Sequence, residues 1–147
     1  MTETATTQVP TFSPMLAYEN AGAAIAFLTE AFGFTETMRL VGDDGRIGHA
    51  ELSYGNGKIM LVDFDRGYQG PRHHAETCAA ARQWLDNPYV VNGVYVVVED
   101  VEAHFKRAEA AGATMLSGIE EGVPGKLYRA ADPEGQRWMF NQPPAPS

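Results

Sequence analysis

Two stretches of this chain repeat one order of signals, and that repetition limits the fold more than any other feature. In "PMLAYENAGAAIAFLTEAFGF", residues 14–34, a short apolar run meets Glu19 and Asn20, and Ala24, Ile25, Leu28, Ala31 and Phe32 then recur at helical spacing up to Gly33. In "GVYVVVEDVEAHFKRAEAAGA", residues 93–113, a β-branched run meets Glu99 and Asp100, and Val101, Phe105, Ala108 and Ala111 follow before Gly112. Asn20 and Asp100 are residue types that accept hydrogen bonds from the free amides opening a helix, and Gly33 and Gly112 suit the left-handed backbone that closes one. After each glycine come apolar stretches broken by turn chemistry: "GDDGR" and "YGNGK" in the first half, "EEGVPGK" and "DPEGQ" in the second. Asn56-Gly57 and Glu134-Gly135 lie between β-rich runs and read as hairpins. Each half therefore reads βαβββ, and the duplication predicts an α+β fold of two modules about a pseudo-twofold.

The first module is expected over residues 14–64 and the second over 91–142, with an inter-module linker over 65–90. Residues 1–13 read as an N-terminal tail and the start of the first strand, and 143–147 as a C-terminal tail, since neither shows apolar periodicity. The 147 residues, 44% hydrophobic, suffice for one core shared by two half-size modules. The longest apolar run, "VYVVV", has the length of a buried strand and not of a membrane span. A net charge of −8 with no clustered Lys/Arg stripe argues against a nucleic-acid partner. Cys78, the single cysteine, has no partner for a disulfide, and no charged and apolar leader opens the chain, so a reducing cytoplasm is expected.

"YVVVEDVEAHFKRAEAAGA" followed by "YRAADPEGQRWMF" resembles the second module of the glyoxalase/bleomycin-resistance/extradiol-dioxygenase superfamily, also called vicinal oxygen chelate. The first module, with "AIAFLTEAFGF" and "GRIGHAELSYGNGKIMLVDF", is similar to the same pattern, and the resemblance spans roughly residues 14–142. It implies curved mixed sheets around a cavity, commonly in a homodimer, but it does not fix the chemistry, because this fold hosts lyases, isomerases, dioxygenases, thiol transferases and drug binders. Members that use a metal place one ligand on the first strand and a carboxylate on the last strand of each module. Carried over, those positions fall on Ser13 and Gly93 for the first strands and on Leu61 and Met139 for the last. None of the four is a metal donor of the usual kind, so no metal and no other cofactor is expected.

The same alignment sketches the pocket. Strand alternation turns Ile59, Leu61 and Asp63, and Arg137, Met139 and Asn141, toward the cavity, leaving Met60, Val62, Trp138 and Phe140 for the core. On the neighbouring strands two faces stay open: either Ala50, Leu52 and Tyr54 look in, or His49, Glu51 and Ser53 do, and Tyr128 competes with Arg129. A His49/Glu51 pair inside the cavity would form a candidate catalytic acid/base unit. In the linker, "PRHHAETC" gathers Arg72, His73, His74 and Cys78; a helix over "HAETCAAARQWL" would set His74 and Cys78 on one face. The linker is expected to act as a joint between modules or as a lid that turns Arg72, His73 or His74 toward a polar ligand. The leading expectation is metal-independent binding of a small aromatic or hydrophobic molecule, drug or metabolite, by a homodimer without membrane or nucleic-acid contacts. The competing one is a metal-dependent lyase, isomerase or dioxygenase of the same superfamily.

Overall fold

A computed structural model describes residues 9–64, 66–88, 90–122 and 124–146. The first half contains β1 (Met15–Tyr18), α1 (Ala21–Phe32), β2 (Thr35–Val41), β3 (Ile47–Tyr54) and β4 (Gly57–Asp63), assembled as a four-stranded sheet in the order β1-β4-β3-β2. The linker holds α2 (Pro71–Thr77) and α3 (Ala79–Trp84). The second half contains β5 (Val94–Val97), α4 (Val101–Ala110), β6 (Thr114–Met115), β7 (Glu120–Glu121), β8 (Lys126–Ala131) and β9 (Arg137–Gln142). These strands form a sheet in the order β5-β9-β8-β6, with β7 also pairing β8. Each sheet is mixed: β1·β4 and β5·β9 are parallel and the other pairs antiparallel. The fold is α+β with two mixed sheets, in agreement with the duplicated signals. Among the described residues no helix is long and apolar enough to cross a membrane.

The two halves cap their helices in the same way. Asn20 and Asp100 accept hydrogen bonds from Ala23 and Ala103 respectively, each three residues on. The last residue of each final strand then takes the first helical amide: Asp63 Oδ1 accepts from Ala21 N, and Gln142 Oε1 accepts from Val101 N. Gly33 closes α1 at φ 82°, and Arg107 of α4 donates to the α1 carbonyls of Thr29 and Glu30. Charge and hydrogen bonds thus meet the C-terminal end of α1 from the other half of the molecule.

One core serves both halves. The helix-facing side chains Leu16, Ala50, Leu52, Ile59 and Leu61 bury α1, while Tyr128, Trp138 and Phe140 carry the second sheet's contribution. Phe32 joins them, with ring centroids 4.7 Å from Phe140 and 5.6 Å from Trp138. Within this apolar centre lies a polar residue that helical spacing did not mark, His104. Its Nε2 lies 2.8 Å from the Phe32 carbonyl, which can only accept, so Nε2 carries the proton. Nδ1 consequently accepts from the Tyr128 hydroxyl at 2.5 Å.

Three local expectations change. The linker helix is broken, because Cys78 sits in extended backbone and its Sγ caps α3 by accepting from Ala81 N; His74 and Cys78 therefore do not share a helix face. The first hairpin turns at Gly55-Asn56, one residue earlier than expected, and Gly55 supplies the positive φ of 56° there. In the second half the strand that mirrors β2 is split into β6 and β7, with the Ser117 hydroxyl between them accepting from Arg129 N in place of a ladder bond.

Burial holds the His104 imidazole below its ordinary pKa of 6.5, against the Phe32 carbonyl, which favours the charged form. The folded state thus prefers neutral His104, so this contribution is complete above about pH 6.5 and is lost as pH falls through 6.5 toward the depressed value. An NMR titration of His104 is expected to show a midpoint below 6.5, and melting temperature is expected to fall less with acidification in His104→Gln than in the wild type. Tyr128→Phe leaves buried Nδ1 without a donor and is expected to cost about 1–3 kcal/mol by denaturant unfolding.

Candidate functional site

Each sheet turns one face to the shared core; the other is exposed along β1, β2 and β5, while Leu127, Arg137 and Asn141 on it are buried. On the first sheet, Met15 pairs with Met60, Met60 with Glu51, and Glu51 with Met38, so these four side chains form one lateral row across β1, β4, β3 and β2. Val62, His49 and Leu40 belong to the same face. On the second sheet the corresponding row is Tyr95, Met139 and Arg129, followed by Val97, Asn141 and Leu127. Much of this surface is apolar and uncovered: Met15 is 72%, Leu40 58%, Tyr95 55% and Val97 56% exposed.

The helix caps settle which positions correspond. Asp63 and Gln142 play the same part, and Met60 and Met139 each stand three residues before them. The counterpart of Met139 is therefore Met60 and not Leu61. The parity expected for the first sheet is reversed for this reason: the first hairpin has a two-residue loop, the second a five-residue turn at residues 132–136, and aligning Gly57 with Gly135 slips the register by one. Ile59 and Leu61 lie in the core, and both Asp63 oxygens are engaged, one with Ala21 N and one with Ile47 N. Tyr54 also takes the core side, beside Phe34 and His104, and Tyr128 is buried against His104 while Arg129 takes the open face. Of the residues expected to line a pocket, Arg137, Met139 and Asn141 are on the open side, and His49 and Glu51 take it on β3. Met15, Met38, Leu40, Met60, Tyr95 and Val97 were not anticipated; strand pairing is the signal that finds them.

The polar groups on these faces include His49, Glu51, Lys58, Arg129, Arg137 and Asn141. Glu51 accepts from Lys58 Nζ at 3.0 Å and lies 2.8 Å from His49 Nε2, and these two partners, His49 first, hold its carboxyl below the usual value. Arg129 pairs with Glu120. Arg137, 5% exposed, donates to the Leu85 carbonyl at 2.7 Å and more weakly to that of Asn87, tying the end of α3 to the second sheet. Burial lowers its pKa, but a guanidinium stays charged. The Asn141 Oδ1 is buried with no hydrogen-bond partner among the described residues.

The linker does not reach over these faces through its basic residues. His73 Nδ1 lies 3.0 Å from Glu19, Gly70 N donates to the other Glu19 oxygen, and Arg72 contacts the Pro133 carbonyl. His74 instead stands against Trp84, within a separate cavity of the linker.

Comparison with known proteins agrees with this architecture. The family model for the glyoxalase/bleomycin resistance protein/dioxygenase superfamily matches residues 12–140. The chain belongs to that superfamily. An uncharacterized protein of Mycobacterium bovis is 33% identical over 135 residues, which cover 91% of this chain and 84% of that one. Among solved structures, TioX from Micromonospora sp. ML1 superposes with a TM-score of 0.68 at 28% identity, covering 92% of this chain and 100% of that one. TnmS3, an antibiotic binding protein from Streptomyces sp. CB03234, gives 0.60 at 19% identity over 93% and 99% of the two chains. The fosfomycin resistance protein FosX of Listeria monocytogenes, also known with Mn(II) bound, gives 0.63 at 13% over 93% and 95%.

The residues at the superfamily's metal positions do not fit a divalent ion here. Carried over by the resemblance, with the last strands realigned on the helix caps, those positions fall on Met60 and Met139, both thioethers, and on Ser13 and Gly93. Among the described residues, no group of three or more His, Cys, Asp or Glu side chains converges as metal ligands would. Plasma mass spectrometry of tag-free protein is expected to find transition metal far below one atom per chain; a value near one would mean that the register assigned to Met60 and Met139 is mistaken.

Proposed function

We propose that this protein binds a small, flat, largely apolar molecule on the open faces of its sheets without a metal, and holds it rather than converting it. The observation that carries this reading is the pair of rows Met15-Met60-Glu51-Met38 and Tyr95-Met139-Arg129, in which Met15, Met38 and Tyr95 are exposed and Met60 and Met139 half-buried in the single chain. Binding sites for drug-sized molecules have this composition, and thioether side chains adapt to aromatic surfaces of varied shape. Exposed apolar area of this kind also calls for covering, and a second copy of the chain would enclose it in a homodimer whose cavity draws on both. The relation to TnmS3, an antibiotic binding protein, supports sequestration of a drug or metabolite. Protection of that sort works by lowering free ligand, so affinity and abundance matter and turnover does not.

The geometry of His49 and Glu51 favours a second reading, an enzyme that uses them as an acid/base pair. A carboxylate 2.8 Å from Nε2 orients the imidazole and leaves Nδ1 to exchange a proton with a bound molecule.

A panel of aromatic natural-product antibiotics screened by thermal shift tests the first reading. A true ligand at about 100 times its Kd is expected to stabilise the fold by about 2.7 kcal/mol, a shift of several degrees. Tyr95→Ala and Met60→Ala are each expected to weaken that ligand by about tenfold, while His49→Ala leaves it recoverable unchanged from the complex. Conversion of the ligand by wild type but not by His49→Ala would favour the enzyme, and a panel without any shift would count against sequestration.

A further inference from the structure

The linker builds a cavity of its own, of about 460 Å³, and every residue that lines it falls between Tyr68 and Val91. It has no counterpart in the repeat, since all of its lining but Val91 lies between the two modules. Its volume is within the range that takes small organic ligands, ~300–1,000 Å³. The walls are apolar and aromatic: Trp84, Leu85, Val90 and Tyr68, with Val91 held at φ 83°, a backbone unusual for a β-branched residue.

The cavity is fixed from both sides rather than hanging on a loose connector. Tyr68 donates to the Ala17 carbonyl of β1, and Gly70 N to Glu19. At the other end, buried Arg137 of β9 binds the carbonyls of Leu85 and Asn87. Such anchoring preorganises a site, which reduces the ordering that a ligand must impose.

Two groups inside it point to a ligand. Trp84 keeps 47% of its surface exposed, a large area for the residue with most to gain from burial. His74 meets it edge to face, with centroids 6.0 Å apart at 66°, yet among the described residues neither imidazole nitrogen of His74 has a hydrogen-bond partner. An aromatic face beside a free donor and acceptor matches a flat aromatic molecule carrying one hydroxyl or ring nitrogen.

We infer that the linker cavity is a second small-molecule site, taking a flat aromatic ligand against Trp84 with its polar group on His74, separate from the open sheet faces. 2-Naphthol is a suitable probe, followed by amide and indole NMR of the full chain. The chain has two indole signals, and that of Trp138 is buried and bound to Asp132, which makes it an internal control. Expected are saturable shifts of the Trp84 indole and of amides within 68–91, with Kd below about 1 mM, the Trp138 indole staying still. Trp84→Ala and His74→Ala, both at partly exposed positions, are each expected to raise Kd by about tenfold with the remaining spectrum unchanged. No saturable shift up to about 2 mM overturns the inference, as do shifts confined to Tyr95, Val97 and Met139, which would instead report the sheet-face site.

Discussion

A single buried carboxylate, Asp132, holds the arrangement together. One of its oxygens accepts from the Tyr18 hydroxyl of the first module at 2.6 Å and from the Trp138 indole of the second at 3.2 Å. The other accepts from the amides of Glu134 and Gln136, which shapes the turn between β8 and β9. Burial pushes its carboxyl above the ordinary value, and these four donors pull the other way. A charge this deep, 2% exposed, is tolerable only with such complete satisfaction. The turn that it organises then reaches outward. Glu134 accepts from the amides of Glu19 and Asn20 at the start of α1, and Gly135 sits where a Cβ would come within 2.7 Å of Arg72 N. First module, second module and linker thus converge on five residues.

That turn also sets the length of the second hairpin, and hairpin length decides which side chains a strand offers. With β9 starting at Arg137, Trp138 and Phe140 meet the core while Arg137, Met139 and Asn141 turn away from it. The shorter first hairpin brings β4 to the same end state by another route, with Met60 outward and Ile59 and Leu61 inward. Thioethers thus stand at the last-strand positions to which the resemblance carries a metal-binding carboxylate. On the function proposed above, a polarizable apolar group there in place of a hard oxygen donor would suit an apolar ring and not a divalent cation.

Much of the fold was legible because its signals are local. Asn20 and Asp100 cap helices whatever surrounds them, and Gly33 ends α1 for reasons of backbone alone. The faces of β4 were not legible, since a slip of one residue reverses them and the slip came from comparing turns of two and five residues. Tyr128 and Tyr54 were ambiguous for the same reason. His104 was missed because a histidine within a polar helix reads as a surface group, and only the Phe32 carbonyl and the Tyr128 hydroxyl, 72 and 24 residues away, make it a core residue. The break at Cys78 rests on a thiol acting as a helix cap, a role that an alanine-rich stretch conceals.

We propose that function lies on the open faces and structure in the shared core, and methionine divides between them. Met15, Met38, Met60 and Met139 belong to the open faces, whereas Met115 pairs with Ala130 on the core side. Methyl NMR of protein labelled at methionine, recorded across a dilution series and with a ligand from the antibiotic panel, reads all of them at once. The account predicts that Met60 and Met139 move with ligand, that the open-face set moves with dilution, and that Met115 stays in place. Movement of Met115 with the open-face methionines unmoved would contradict it.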